Sequence, residues 1–512
     1  MDSLLSSDVV AVIGAGTMGA GVAQVAAAAG HRVLLYDAQP GAAEKGKLRS
    51  LDGLKKLVER GRLTEGDRQS MASRIEPVAT LQDLVPARLV IEAIVEDLSI
   101  KQGLFKELES LCAEDAIFAS NTSSISITAI ASALRNPQRF LGMHFFNPAP
   151  IMKLVEVVSG LATDSAVAKC IYATATLWGK RAVHARSTPG FIVNRVARPF
   201  YAEGLRLLQE QAGDPATLDA VMREAGGFRM GPFELMDLIG HDVNFAVTQS
   251  VFQAYFHDPR FTPSLIQQEL VLAGRLGRKS GQGFYDYAEG AQQPQVHCVE
   301  AVGKPERIKV YGELPIAASL LNQWQEAGIE IERVEPEAES WRGLIEVDGI
   351  RLALTDGRSA TRRCAEEGLA ELVVFDLALD YAKAERIAIA LSEQASAHAA
   401  QTVAGLFKAI GKSVTQISDV PGLLVMRTLA MLANEAADAV NQGVCSVSDV
   451  DEAMRSGVNY PKGPLAWADE LGVAYVRDVL NALASSYGED RYRCSPLIHQ
   501  RVAAGKTFYP AG

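Results

Sequence analysis

A histidine and a glutamate twelve positions apart carry the side chains best suited to acid–base chemistry in this sequence. His144 is followed by the run Phe-Phe-Asn-Pro, and Glu156 stands in the apolar run Leu-Val-Glu-Val-Val. Histidine titrates near neutral pH and is suited to removing the proton of a substrate hydroxyl group. A carboxylate on its other ring nitrogen would fix the tautomer and stabilise the imidazolium that forms. The spacing alone does not bring the two side chains together, so a structural histidine remains the alternative.

A polar turn, Asn121-Thr122-Ser123-Ser124, comes directly after a strand predicted over residues 116–120. Another strand is predicted over residues 89–94, with a helix over about residues 99–112 between the two. In open parallel sheets, ligands bind at the carboxyl ends of the strands. The turn is therefore a candidate part of the same site.

The elements that must position these groups begin with a dinucleotide fingerprint. An apolar strand predicted over residues 9–13 runs into Gly14-Ala15-Gly16-Thr17-Met18-Gly19, followed by a helix to about residue 29 and a strand over 33–36 that ends at Asp37. Gly14 allows the tight turn, Gly16 lets the backbone approach a pyrophosphate, and Gly19 allows the helix to pack closely. Asp37 would accept hydrogen bonds from ribose hydroxyls and repel a 2′-phosphate, which favours NAD over NADP. A purely structural glycine turn is the alternative.

Basic residues are concentrated between positions 45 and 62. Seven lysines and arginines stand there against Asp52 and Glu59, a local excess of five positive charges. Such an excess could hold a polyanionic tail, although the segment taken alone favours a solvated helix face.

Three longer motifs resemble the signature of the L-3-hydroxyacyl-CoA dehydrogenase family. They are His-Phe-Phe-Asn-Pro-Ala-Pro-Ile-Met-Lys-Leu-Val-Glu-Val at 144–157, Ser-Asn-Thr-Ser-Ser at 120–124, and Thr-Pro-Gly-Phe-Ile-Val-Asn-Arg at 188–195. The resemblance extends over about residues 8–287. It implies an enzyme that oxidises (S)-3-hydroxyacyl-CoA to 3-oxoacyl-CoA with NAD as cofactor.

The resemblance also implies roles for individual residues. His144 is then the catalytic base, with Glu156 as the carboxylate that orients it. Ser123 and Asn194 hold the substrate oxygens, and Asn147 contacts the substrate or coenzyme A.

Cofactor and coenzyme A contacts are implied in the same way. Glu96, Lys101 and Lys279 are similar to the family's NAD contacts, although Glu96 and Lys101 taken alone are ordinary helix-start charges. The coenzyme A tail is expected on the segment after Asp37, with Lys55 or Lys56 as its basic contact.

The C-terminal half repeats the helical part of the first half. Pro189-Gly190 corresponds to Pro421-Gly422, Asp219 to Asp451, and Gly231-Pro232 to Gly463-Pro464, each 232 positions apart. A constant register of this kind indicates internal duplication. The second copy has Met426 in place of Asn194, and residues 304–402 lack the glycine fingerprint and the histidine motif. We therefore predict a degenerate Rossmann-like domain that does not bind NAD.

These observations predict four domains: an α/β Rossmann NAD-binding domain (1–186), an all-α domain (187–288), a degenerate Rossmann-like domain (304–405) and a second all-α domain (406–512). Single-copy relatives pair their helical domains as dimers, as far as the resemblance implies. The second helical copy is therefore expected to supply that partner within one chain. A homo-oligomer remains open.

Composition limits the remaining classes of function. The net charge of -11 argues against a nucleic-acid partner, and six widely spaced cysteines without a Cys-x-x-Cys pair argue against disulfides or a zinc site. The first apolar run is too short for a signal peptide or a membrane span, which predicts a cytoplasmic protein.

The resemblance to long members of the family with an extra C-terminal half implies 3-hydroxyadipyl-CoA as substrate, in phenylacetate or other aromatic catabolism, or a short-chain thioester such as 3-hydroxybutyryl-CoA. A terminal carboxylate would need a cation, and Arg195, Arg198 and Arg229 are candidates. Two alternatives remain: a sugar-acid dehydrogenase of the gulonate type, and a non-enzymatic NAD-binding structural protein. The basic segment speaks against the first, and the intact histidine, glutamate, serine and asparagine speak against the second.

Overall fold

A computed structural model describes residues 3–510 and divides the chain into two compact units. The first unit ends at Arg195 and also includes Gln442–Val458; the second comprises Val196–Asn441 and the residues from Asn459 onwards. A short segment of the C-terminal half thus belongs to the same unit as the N-terminal domain. Within the described residues, no helix is both long enough and apolar enough to span a membrane.

The first unit is built on an eight-stranded sheet in the order β3-β2-β1-β4-β5-β6-β7-β8. Strands β1 to β6 are parallel, whereas β7 runs antiparallel to β6 and β8 is parallel to β7. The strands are β1 Val9–Ile13, β2 Val33–Tyr36, β3 Ile75–Val78, β4 Ala87–Glu92, β5 Ile117–Ser120, β6 Phe140–Phe145, β7 Leu154–Ser159 and β8 Arg181–Arg186. The helices are α1 Thr17–Ala28, α2 Ala42–Glu59, α3 Glu65–Arg74, α4 Leu98–Leu111, α5 Ile127–Ala131, α6 Ser165–Leu177 and α17 Val447–Val458, while α7 Val193–Val196 begins here and ends at the first residue of the second unit.

The central strands are almost entirely apolar because both faces of a parallel sheet are covered by helices. Val10, Val12, Leu89 and Ile91 are fully buried in this core. The predicted strands at 9–13 and 33–36 are confirmed. Helix α1 begins three residues earlier than expected, because Gly16 serves as its N-cap.

The second unit contains a seven-stranded mixed sheet in the order β10-β9-β11-β12-β13-β14-β15, together with most of both helical copies; α17 of the second copy lies in the first unit. Its strands are β9 Arg307–Tyr311, β10 Glu330–Val334, β11 Leu344–Val347, β12 Ile350–Leu354, β13 Leu372–Phe375, β14 Arg386–Leu391 and β15 Ser413–Gln416. Its helices are α8 Arg198–Gln209, α9 Pro215–Glu224, α10 Pro232–Ile239, α11 His241–Ala254, α12 Leu265–Leu272, α13 Ala318–Glu326, α14 Ala360–Glu367, α15 Ala397–Lys408, α16 Val425–Asn441, α18 Pro464–Leu471, α19 Val473–Tyr487 and α20 Pro496–Ala503. The expected second Rossmann-like and helical domains are thus present.

The duplication extends from the helices into the sheets. At the same interval that separates the two helical copies, strand β14 corresponds to β7. Strand β7 pairs antiparallel with β6, and β14 pairs antiparallel with β13. Lys180 Nζ donates to the carbonyl of Met152, and Lys412 Nζ donates to the carbonyl of Ala384, both at 2.8 Å. Ala384 is the counterpart of Met152 at the same interval, so even this buried lysine contact is repeated.

Candidate active site

The predicted histidine and glutamate meet across neighbouring strands. His144 on β6 is the register partner of Glu156 on β7, and its Nδ1 atom lies 2.5 Å from Oε2 of Glu156. Glu156 is completely buried, while His144 is 6% exposed. The rings of Phe146 and Phe191 lie 4.5 and 5.8 Å from the imidazole ring, centroid to centroid. The histidine is thus held in an apolar enclosure that keeps a small opening.

The second oxygen of Glu156 fixes the carboxylate itself. Oε1 accepts hydrogen bonds from the backbone N–H groups of Ile192 and Val193, at 2.9 and 3.0 Å, where helix α7 begins. Because a carboxylate only accepts, the proton shared with the imidazole belongs to Nδ1 in the neutral ring. Nε2 of His144 is then the free lone pair, which is the arrangement a general base requires.

The polar turn after β5 is held by Glu96. Its Oε1 atom accepts hydrogen bonds from the hydroxyl groups of Thr122 and Ser124 and from the backbone N–H of Ser123. Burial acts to raise the pKa of Glu96, but the hydrogen bond from Thr122 and the charge of Lys101 lower it on balance. Glu96 is therefore a carboxylate that positions the loop carrying Ser123.

A buried ion pair lies behind this turn. Lys101 Nζ is 2.5 Å from Glu92 Oε1 and 3.3 Å from Glu96 Oε2, and both Lys101 and Glu92 are almost completely buried. Ser120 donates to the other oxygen of Glu92 at 2.6 Å. The sequence interpretation missed Glu92, although an acidic residue within the otherwise apolar run at 89–94 was the available signal.

Asn121, in the polar turn, has a structural role that the sequence did not indicate. Its side-chain oxygen accepts a hydrogen bond from the backbone N–H of Phe145 at 2.8 Å. This hydrogen bond connects the polar turn after β5 to the residue next to His144.

The glycine loop after β1 has the shape that a dinucleotide requires. Gly14 has a φ of +94°, and a Cβ atom on Gly19 would lie 1.7 Å from the Gly14 carbonyl oxygen. A Cβ atom on Gly16 would meet nothing within 4 Å. The N-terminus of α1 carries no side-chain cap, which leaves its N–H groups available to phosphate oxygens.

Asp37 completes the fit of this loop to NAD. It lies directly after β2, where its two carboxylate oxygens accept hydrogen bonds from the backbone N–H groups of Ala15 at 2.7 Å and Gln39 at 2.9 Å. The carboxylate therefore stands beside the glycine loop, the position from which it could bind ribose hydroxyls.

The remaining predicted residues are dispersed. Lys55 and Lys56 are exposed on α2 and form no ion pair within residues 3–510. Asn147 is exposed in the loop after β6 and Asn194 is half-buried on α7. Lys279 belongs to the second unit, where it is paired with Asp242.

The second half has lost the corresponding chemical groups. At the constant interval between the copies, Asp376 takes the place of His144, Ala388 that of Glu156 and Met426 that of Asn194. Phe375 pairs with Ile389, so this correspondence also holds in the strand register. Because alanine stands where the glutamate would be, the second sheet, as the structure describes it, forms no base and carboxylate pair at this position.

Comparison with known proteins gives consistent family matches along the chain. The NAD-binding domain of 3-hydroxyacyl-CoA dehydrogenase matches residues 9–188, and the C-terminal domain of the same family matches 190–287 and again 422–512. A reduced Rossmann-fold domain of 3-hydroxybutyryl-CoA dehydrogenase matches residues 352–421.

Similar proteins cover either the whole chain or its first half. The chain is 45% identical to 3-hydroxyadipyl-CoA dehydrogenase of Escherichia coli over 98% of both sequences. It is 43% identical to a probable 3-hydroxybutyryl-CoA dehydrogenase of Bacillus subtilis over 54% of this chain and 96% of the relative. A crystal structure of 3-hydroxybutyryl-CoA dehydrogenase from Escherichia coli covers 98% of the chain and 99% of its own, with 44% identity and a TM-score of 0.88.

Proposed function

Because the chain belongs to the 3-hydroxyacyl-CoA dehydrogenase family, we propose that His144 removes the proton of the substrate's 3-hydroxyl group through Nε2. The 2.5 Å contact between His144 Nδ1 and buried Glu156 carries this proposal, because it fixes the tautomer and balances the imidazolium. When bound, NAD supplies the nicotinamide that accepts the hydride. Phe146 and Phe191 limit the access of water to the histidine.

The polar groups around His144 are assigned to binding. Ser123 and Asn194 hold the substrate oxygens, and Asn147 contacts the substrate or coenzyme A. The placement of Ser123 by Glu96 supports this assignment, because a fixed donor can stabilise charge that develops on the substrate oxygen.

Cofactor binding is assigned to the glycine loop and to charged residues. Gly14, Gly16 and Gly19 form the loop that binds the pyrophosphate of NAD, and Asp37 binds the adenosine ribose hydroxyls, roles that their geometry supports. Glu96, Lys101 and Lys279 are assigned as further NAD contacts. Lys55 or Lys56, both exposed on the basic helix α2, is assigned to the phosphates of coenzyme A.

The substrate is proposed to be a 3-hydroxyacyl-CoA with a terminal carboxylate, of the 3-hydroxyadipyl-CoA type. The similarity to the Escherichia coli 3-hydroxyadipyl-CoA dehydrogenase over nearly the whole chain supports this choice. NADH formation with (S)-3-hydroxyadipyl-CoA, (S)-3-hydroxybutyryl-CoA and L-gulonate tests it. The highest kcat/KM is expected with the adipyl thioester; oxidation of gulonate alone would contradict the coenzyme A assignment.

The second half is proposed to act as an intrachain partner of the first. Helix α17, from the second helical copy, packs against β7 and β8 in the unit that contains His144. Its counterpart α9, from the first helical copy, packs against β14 in the other unit, where Glu224 pairs with Arg386 at 2.9 Å. One helix of each helical copy thus packs on the sheet of the other half.

A truncation tests this partner role. Removing everything after about position 300 takes α17 from β7 and β8, and the fragment is expected to lose stability or to dimerise. Size-exclusion chromatography with light scattering and thermal unfolding measure both outcomes. A monomeric fragment with full stability and activity would refute the role.

A further inference from the structure

One buried arginine of the second unit stands apart from the ion pairs around it. Arg198, the first residue of α8, is 6% exposed, and its guanidinium lies 4.7 Å from the ring centre of Tyr201. Its Nη1 atom donates to the hydroxyl of Thr248 at 3.1 Å, while its Nε atom has no hydrogen-bond partner in the described part of the chain. Among residues 3–510, no Asp or Glu forms an ion pair with it.

The neighbouring arginines are all neutralised. Arg206 pairs with Glu203, Arg491 with Glu489, and Arg260 with Glu435 at 2.8 Å and Asp438 at 2.5 Å. Burial lowers the pKa of Arg198, and no carboxylate counteracts that effect within the described residues. A buried charge without a counter-charge is unfavourable unless a ligand provides one.

Arg198 lines a cavity that could hold such a ligand. The cavity has a volume of about 220 Å³ and is also lined by Thr248, Ser264 and three neutralised arginines, with no Asp or Glu among its described lining residues. Ser264 Oγ is a second buried polar atom without a partner in residues 3–510. Two unsatisfied donors and no acidic group in one cavity favour an anion.

The duplicated half indicates that the fold does not need this arginine. At the interval between the copies, Ala430 on α16 stands in place of Arg198, and Leu480 on α19 in place of Thr248. Both are buried in the same helical arrangement. The cationic group of the first copy is therefore a feature of its cavity and not a packing requirement.

We infer that this cavity binds a carboxylate group, with Arg198 as the counter-charge and Ser264 as the hydroxyl partner, while Thr248, which donates to the carbonyl of Asn244, holds the guanidinium in place. A planar carboxylate matches the donor geometry of a guanidinium. The carboxylate has two chemical sources: the distal end of a dicarboxylic acyl-CoA, or a free dicarboxylate. The first source rests on the proposed function, whereas the second does not.

Binding of free adipate tests the cavity without any turnover. Isothermal titration of the full-length protein is expected to show adipate binding that Arg198→Met abolishes. Arg198→Lys keeps the charge and should retain measurable binding, which guards against a folding defect. Arg333→Met, at an exposed arginine of β10, is the matched control and should bind as the wild type does.

Turnover then distinguishes the two sources. If the substrate supplies the carboxylate, Arg198→Met lowers kcat/KM about 10- to 100-fold for (S)-3-hydroxyadipyl-CoA, as expected for a lost charged hydrogen bond, and leaves (S)-3-hydroxybutyryl-CoA unchanged. If a free dicarboxylate is the ligand, adipate binding is lost while both thioesters react as before. Adipate binding that Arg198→Met leaves unchanged would overturn the inference. So would a wild type that does not bind adipate, if Arg198→Met also fails to lower kcat/KM selectively for the adipyl thioester. A wild type that oxidises neither thioester would refute the proposed function, and adipate binding would then be the test of the carboxylate site.

Discussion

Asp376 receives in the second half the two backbone hydrogen bonds that Glu156 receives in the first. Glu156 accepts from Ile192 and Val193, whereas Asp376 accepts from Leu424 and Val425 at 3.0 and 2.7 Å. Yet Asp376, which directly follows β13, corresponds to His144 and not to Glu156 at the interval between the copies. In the second half a carboxylate therefore still accepts hydrogen bonds from the start of a helix, although no histidine is present. The contact between Glu156 and His144 is thus not needed to hold the helix, and we assign it to catalysis.

Glu156→Gln separates these two tasks. The amide oxygen can still accept from Ile192 and Val193, but its NH₂ group would donate to Nδ1 of His144 and place the ring proton on Nε2. With the wrong tautomer, kcat is expected to fall about 10²- to 10⁴-fold. Thermal unfolding should change little, and kcat within tenfold of the wild type would refute the assigned role.

Gly16→Ala and Gly19→Ala form a matched pair at the glycine loop. The new methyl group at Gly16 meets no protein atom, so Gly16→Ala should leave the unfolding temperature without NAD unchanged but remove the stabilisation by added NAD. Gly19→Ala forces Cβ against the Gly14 carbonyl and should lower stability even without NAD. Differential scanning fluorimetry with and without NAD measures both; an undiminished NAD shift in Gly16→Ala would contradict the pyrophosphate assignment.

Lys101→Met leaves the buried carboxylate of Glu92 without its cation. The free energy of unfolding is expected to fall by about 3 kcal/mol, as is typical when one partner of a buried pair is removed. Adding Glu92→Gln should recover part of the loss, and Lys106→Met on the exposed face of α4 is the control. Stability unchanged in Lys101→Met, as measured by urea unfolding, would argue against a structural role for the pair.

Lys180 provides a pH-dependent test. Burial lowers the pKa of Lys180 to about 8, and its ammonium group donates to the backbone carbonyls of Ala149 and Met152. The folded state therefore holds this proton less tightly than the unfolded chain, so its contribution to stability rises between about pH 8 and the normal lysine pKa of 10.5.

Urea unfolding of the wild type and Lys180→Met across this range checks that sign. The stability difference, wild type minus variant, should grow in favour of the wild type by about 3 kcal/mol at most. Lys169→Met, at an exposed position on α6, should show no such slope. A flat difference between pH 8 and 10.5 would mean that burial does not perturb Lys180.

The first strand, the glycine turn and the acidic residue after the second strand could be predicted because each depends on residues close together in the chain. The apolar strand β1, the glycine turn and Asp37 follow one another in the chain, and each has a direct steric or charge requirement. The pairing of His144 with Glu156 could be proposed from residue type and resemblance, but only the antiparallel register of β6 and β7 brings the two together. Glu92 and Lys101 needed the fold, since the ion pair depends on how α4 packs on β4.

The placement of α17 was also beyond the sequence. The constant interval between matching residues identified a second helical copy, but it did not show that α17 packs on β7 and β8 of the first sheet. Contacts between segments so far apart in the chain depend on topology, and local periodicity does not encode them. Likewise, the sequence does not show that Nε of Arg198 has no hydrogen-bond partner among the described residues; this depends on the side chains that the fold places around it.

The most direct measurement of the central claim is the turnover of His144→Gln with (S)-3-hydroxyadipyl-CoA, followed by NADH absorbance. Glutamine keeps the side chain polar and of similar reach but cannot accept a proton near neutral pH. We predict a fall in kcat of about 10³-fold, with NAD affinity preserved. A His144→Gln enzyme that oxidises the thioester within tenfold of the wild-type rate would contradict the role of His144 as the base.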